Sequence, residues 1–233
     1  MQMIGRIGKA PERLVYSGFR VERKGFVSTL SYALEGNSHR MDMLERGHAS
    51  VVLPVDFRTR EIYMLGEIRA HKPFGASESG RAWIRKVMRD GFTVPAETFE
   101  VPSEDARIFE VCAGMIDADK ATGAFLETPA AAAVRELREE TGLVIDEDRL
   151  IHVDSYFPSI GISCEMIHAF VADLPEGHFE SRVPPPGDGN EEIDVYRMSW
   201  DEAFDLMKAK KIETSSTGLL LRELKIIDLQ GRR

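Results

Sequence analysis

Residues 128–143, TPAAAAVRELREETGL, constrain the chain more than any other stretch. Thr128 stands where an N-cap belongs, Pro129 at the first helical position and Gly142 where a helix stops, with an alanine run between them that propagates a helix well. The spacing predicts a helix over 129–141. At about 100° per residue, Glu136, Glu139 and Glu140 share roughly a third of the circumference, while Ala130, Ala133, Val134 and Leu137 form the adjoining apolar stripe. The helix therefore docks with its carboxylates beside the core rather than opposite it. Such an oxygen set suits hard divalent cations, and Mg²⁺ usually completes its shell with water or substrate phosphate. The competing reading is a solvated face held by Arg135 with Glu139 at i, i+4.

Strand patterns surround this helix. ASVVLPV (49–55) and EIYMLGEIR (61–69) read as two strands joined by a turn, and IFEVCAGMID (108–117) as one strand running into a glycine turn. LIHVDSYF (150–157) and CEMIHAFVADL (164–174) are strands split by PSIGIS, and IDVYRMS (193–199) is a last strand behind the loop VPPPGDGNEE. Ser199 and Glu202 spell a capping box for a helix through Lys208, and Leu220, Leu224 and Ile227 mark a C-terminal helix. Trp83, Ile84, Val87 and Met88 predict a short amphipathic helix over 79–90, capped at Gly91, inside the otherwise irregular stretch 71–107. Upstream, 14–46 alternate weakly with turn signals at Gly18, Gly25 and Gly36, which reads as two or three antiparallel strands too polar to make a core alone. The expectation is an α/β domain over 48–233 with an N-terminal antiparallel β arm over 1–47.

Composition narrows the function classes. With 30 Lys and Arg against 39 Asp and Glu, a net charge of −9 gives no basic face for nucleic acid. No apolar run reaches the roughly 18 residues of a membrane span, and MQMIGRIGKAPERL lacks the apolar core of a signal peptide, so no membrane role is expected. Cys112 and Cys164 are too few for a disulfide scaffold or a cysteine metal cluster, and a cytoplasmic location is the expectation. A small polyanion held through metal ions remains open.

From Glu127 to Leu143 the chain resembles the Nudix hydrolases. Their box runs seven residues on from that glutamate and then reads Arg-Glu-apolar-any-Glu-Glu-any-Gly-apolar; Arg135, Glu136, Leu137, Glu139, Glu140, Gly142 and Leu143 fill every specified place. Upstream the match breaks, since Ala121 stands six residues before Glu127. Gly114 of CAGMID is the equivalent glycine if 117–126 carry a seven-residue insertion. The order AGMID, SYFPSIGISCE and NEEIDVYRMSWDEA resembles the branch acting on ADP-ribose and nucleotide sugars, with Pro158 fifteen residues after Leu143 as its substrate cue; Cys112 replaces the proline of the usual Pro-Ala-Gly.

The resemblance implies an α/β/α sandwich, a mixed sheet between the acidic helix and the C-terminal helices, and a requirement for Mg²⁺ that Mn²⁺ can meet. It implies Glu136 and Glu140 as metal ligands, with Glu139 beside them and the carbonyl of Ala113 as a further one. Glu139, Arg135 and Glu191 form the expected catalytic set: Arg135 pairs with Glu127 or Glu139 to orient the acidic face, and Glu191 in GDGNEEIDV is the general base, with Glu192 as its alternative. Glu127 stands behind the ligands or among them. Substrate contacts are expected from Arg69 at the mouth of 71–107, from Phe157 and Pro158 as a wall for sugar or base, and from Glu165. His48, His152 and His168 read as structural.

The implied activity is hydrolysis of the pyrophosphate of a nucleoside diphosphate sugar. ADP-ribose, giving AMP and ribose 5-phosphate, ranks first; UDP- and GDP-sugars are alternatives, and a catalytically weak nucleotide-binding module is a different class of reading. The resemblance further implies a homodimer in which the N-terminal strands pack on, or exchange with, the partner and help form its base pocket.

Overall fold

The computed structural model describes residues 16–23, 27–34, 40–69, 72–89, 102–119, 121–178 and 193–230. They form two compact units, one made of the N-terminal strands with 157–166 and the other of 49–156 with 167–233.

In the first unit, β1 (Tyr16–Arg23), β2 (Ser28–Leu34) and β3 (Arg40–Glu45) make an antiparallel sheet in the order β1-β2-β3. Its centre is polar. Buried Ser31 donates to Glu22 Oε1 at 2.6 Å and accepts from Arg40 Nη2 at 2.8 Å, so hydrogen bonds do what apolar packing does elsewhere. The segment 157–166 extends this unit, with Leu44 N–H donating to Ile162 O at 2.8 Å and Cys164 N–H to Leu44 O at 3.3 Å.

The second unit contains β4 (Ala49–Asp56), β5 (Glu61–Ile68), α1 (Lys72–Ala76), α2 (Glu78–Arg89), α3 (Ser103–Ala106), β6 (Arg107–Glu110), β7 (Cys112–Met115), α4 (Pro129–Thr141), β8 (Leu150–Tyr156), β9 (Ile167–Asp173), β10 (Ile193–Ser199), α5 (Trp200–Lys208) and α6 (Ser215–Leu229). Among the described residues the sheet has seven strands, ordered β10-β5-β4-β9-β8, with β6 on β5 and β7 on β4. β4 and β9 run parallel and the other pairs antiparallel.

Side chains that alternate along a strand feed two cores. Val51, Leu53 and Val55 of β4 pack with Trp200, Phe204, Leu220 and Leu224 of the C-terminal helices, while Val52 packs with Ala133 and Leu137 of α4. The result is the α/β/α sandwich with α4 on one face. β4 is buried along its whole length, as expected of a central strand covered on both sides.

The stretch expected as one strand over 108–117 is two. β4 and β5 pair only at Val55 with Ile62 and at Asp56 with Glu61 and then diverge, and β6 and β7 fill the gap, one zipping to each side. The switch falls at Val111, whose N–H donates to Thr217 Oγ1 of α6 at 3.1 Å in place of a strand partner. The helix expected over 79–90 spans Glu78–Arg89, and Gly91 lies outside the described residues. Among the described residues no helix is long and apolar enough to cross a membrane.

Candidate active site

The acidic helix is built locally as its sequence dictates. Thr128 accepts from Ala131 N–H at 3.0 Å, Pro129 opens the first turn, and Gly142 closes the helix in the left-handed conformation at φ 74°. An N-cap of this kind is worth about 1 kcal/mol. Ala132, Ala133, Leu137 and Thr141 are buried, and truncating a buried leucine such as Leu137 costs roughly 2–5 kcal/mol. Ser50 of β4 donates to Pro129 O at 2.7 Å, pinning the N-terminus to the sheet.

Docking turns the carboxylates toward β7. Glu140 accepts the Ala113 N–H at 3.1 Å. Glu136, 13 % exposed, lies against Gly114 so closely that any Cβ there would overlap its carboxylate. This is a physical reason for glycine in AGMID. Glu139 is half exposed and faces solvent.

Arg135 ties the set together. It donates to Glu127 at 2.7 Å, Glu136 at 2.6 Å, Glu139 at 3.1 Å and the carbonyl of Met115 at 2.9 Å. Glu127 also accepts the Asp117 N–H at 2.9 Å, so its two oxygens are engaged.

A second group was not anticipated. Glu67 and Glu110, 6 % and 8 % exposed, converge on Arg69, whose Nε lies 2.9 Å from Glu67 Oε2 and 2.7 Å from Glu110 Oε1. The i, i+2 spacing of Glu67 and Arg69 places both on one strand face and was readable; Glu110 comes from another strand.

The electrostatics follow from burial. Glu140 is pushed up to about 9, first by loss of water and then by the charges of Glu136, Glu67 and Glu110, against which the Ala113 N–H works. Burial also raises Glu136, partly offset by Arg135. Glu127 is lowered because Arg135 hydrogen-bonds it. Burial disfavours the Arg69 charge, but Glu110 and Glu67 outweigh it and raise the group. Cys112 is fully buried, and its thiol is raised by that burial and by Glu140. Carboxylates thus outnumber the guanidiniums around them. Among the described residues no three acidic, imidazole or thiol side chains already converge on one point as a finished cage. An oxygen-only set short of positive charge is nevertheless the chemistry a hard divalent cation fits.

A NUDIX domain family model matches residues 101–217. The chain belongs to the Nudix family. It is 30% identical over 193 residues to a GDP-mannose pyrophosphatase of Salmonella arizonae, covering 83% of this chain and 81% of that one. Proteins of the same name from Escherichia coli O1:K1 and Shigella flexneri are 23% and 22% identical, each over 82% of this chain and 80% of theirs.

The Nudix helix brings Arg135, Glu136, Glu139 and Glu140 together with Glu127 and Ala113. Arg69 stands nearby with Glu67 and Glu110. Phe157, Pro158 and Glu165 belong to the unit of the N-terminal strands, where Phe157 is 44% exposed and Glu165 pairs with Arg46 at 3.3 Å. Glu191 and Glu192 lie outside the described residues. His152 and His168 share Ser155 at 3.0 and 2.9 Å. His178, not singled out by its sequence, is buried against the Tyr63 hydroxyl at 3.0 Å.

Proposed function

We propose that this Nudix chain hydrolyses the pyrophosphate bond of a nucleoside diphosphate sugar, releasing a nucleoside monophosphate and a sugar phosphate. The observation that carries the reading is the pair Glu136 and Glu140, largely buried against β7 and one helical turn apart, with Arg135 pairing Glu136 and, among the described residues, no cation pairing Glu140. Glu136, Glu140 and Glu139, with the carbonyl of Ala113, are the groups that would hold Mg²⁺ or Mn²⁺. A bound cation of this kind stabilises charge on phosphate oxygens and makes a coordinated water more acidic.

The chain's own residues supply the rest. Arg135 and Glu127 keep the glutamates aimed, as outer hydrogen bonds do for ligands generally. Arg69, 45 % exposed, offers its open edge to a phosphate while Glu67 and Glu110 fix its other edge. On sequence grounds Glu191 takes the proton of the water that adds to phosphorus as the bridging P–O bond breaks, and Glu192 is the alternative. Phe157, Pro158 and Glu165 are the proposed sugar or base contacts.

The names of the relatives support a GDP-sugar as the first substrate to test, whereas the spacing of Pro158 favours ADP-ribose. A panel of GDP-mannose, ADP-ribose, UDP-sugars, dinucleotides and nucleoside triphosphates with Mg²⁺ or Mn²⁺, read as phosphate released after phosphatase treatment, decides between them. Activity on the diphosphate sugars is the expected result; equal inactivity on all of them supports the binding-module reading instead. The N-terminal arm is proposed to dimerise the chain, supported by the exposed Val21, Met41, Ile160 and Ile162 in its unit. Sedimentation as a monomer at micromolar concentration would contradict that.

A further inference from the structure

The sheet carries an open cavity on the face opposite α4. It is about 550 Å³, within the range of small-molecule sites, and is lined by Lys72, Arg107, Phe109, Tyr196, Lys210, Lys211 and Glu213. Alternation fixes which face it is on. Phe109 packs with the core beneath the C-terminal helices, so Ile108 and Glu110 point toward α4 and Arg107 and Phe109 away from it. In β10, Ile193 and Val195 join the α4 core, which leaves Tyr196 on the cavity side. The two rings meet edge to face at 5.3 Å, and Gly66 makes room for them, since a Cβ there would sit 2.5 Å from the Tyr196 ring.

Four cations and one carboxylate line this cavity in a chain whose net charge is −9. Arg107 is paired with Asp194 at 2.7 Å, and Lys72 with Glu213 at 2.6 Å. Among the described residues Lys210 and Lys211 have no ion pair. Both are exposed, and Lys210 holds φ 57°, a left-handed conformation that glycine or asparagine adopts with less strain. Positive charge at the end of α5 is favoured by the helix dipole alone. That accounts for neither Lys72 and Arg107, which come from more than a hundred residues earlier in the chain, nor the two rings on the floor.

We infer that this cavity is a second binding site, for a nucleotide: a phosphate held by Lys210 and Lys211, with a planar base laid against Tyr196. Cations answer the phosphate and an aromatic edge answers the base. The site does not depend on the reaction proposed for the α4 face, because it shares none of its side chains.

Calorimetric titration of the full-length protein with GMP, in chelator and low salt, tests it. Saturable binding is expected, weakened at least tenfold in the Lys210→Ala/Lys211→Ala double variant and in Tyr196→Ala, and weakened by added salt. Lys210→Gly, which keeps the left-handed turn, should also weaken binding and so separates charge from folding. Guanosine should bind at least tenfold more weakly than GMP, and inorganic phosphate should compete with GMP. The inference is overturned if GMP does not saturate, if the lysine variants bind it as well as wild type does, or if Arg69→Ala alone abolishes binding.

Discussion

On the α4 face of the sheet, Glu67, Glu110, Glu136 and Glu140 crowd around two arginines; on the opposite face, Lys72, Arg107, Lys210 and Lys211 surround Phe109 and Tyr196. The short strand β6 serves both, with Arg107 on one side and Glu110 on the other. The difference lies in how each charge set is assembled. The acidic set joins Glu136 and Glu140, whose spacing one turn apart is fixed by the hydrogen bonds of α4, to Glu67 and Glu110, which two sheet strands hold beside them. The basic set is gathered from α1, β6 and the turn after α5, on long side chains that can move apart. The desolvated cluster raises Glu140 to about 9; the basic one is wetter and rests on exposed Lys210 and Lys211.

The sharpest way to break the contrast is to remove one charge from the acidic turn. Glu140→Gln or Glu136→Gln should lower turnover by roughly 10³ to 10⁵, the equivalent of several kcal/mol of metal-dependent stabilisation, with folding intact by circular dichroism. Near-normal turnover in both variants at low Mg²⁺ would remove the helix from the mechanism. Glu191→Gln should cost about 10² to 10⁴ in maximal rate, the range for a lost general base, with metal affinity unchanged and Glu192→Gln much milder. If extra Mg²⁺ rescues Glu191→Gln, that residue is a ligand instead.

Packing gives the next effect. Gly114→Ala should displace the Glu136 carboxylate and lower turnover by roughly 10², as small misplacements of reacting groups do. A full-rate Gly114→Ala enzyme would mean that Glu136 need not lie where it does. Arg135→Lys keeps one charge but loses the fork that reaches Glu127, Glu136 and Glu139 together, and should raise the metal requirement by roughly 10- to 100-fold. An unchanged Mg²⁺ titration would reduce Arg135 to a bystander.

The same contrast explains what was legible in the sequence. Thr128, Pro129, Gly142 and the glutamates of 136–140 speak through near-neighbour geometry, so the helix, its capped ends and its acidic face could be read directly. The capping box of Ser199 and Glu202 was readable for the same reason. The division of 107–115 into β6 and β7 was not, because it depends on β4 and β5 diverging and on Thr217, 106 residues away, taking the Val111 N–H. Arg69 stood out alone, but its counter-ion Glu110 arrives from a different strand. The basic cavity left no trace in composition, since its four cations are spread along a chain that is acidic overall.

The central claim is that the α4 face is a carboxylate cluster suited to a divalent cation, and thermal unfolding across pH tests it most directly. An unfolded glutamate releases its proton near pH 4.5, whereas folded Glu140 keeps its own to about 9. The folded state therefore binds more protons across that window, and the metal-free protein should lose stability as pH rises through it, levelling off above. Glu140→Gln should remove much of this decline and unfold at a higher temperature than wild type at pH 8 without metal. Mg²⁺ should raise the midpoint of wild type at pH 8 and have little effect on the variant. A metal-free wild type that gains stability between pH 5 and 9 relative to Glu140→Gln, or an equal Mg²⁺ shift in both proteins, would contradict the account.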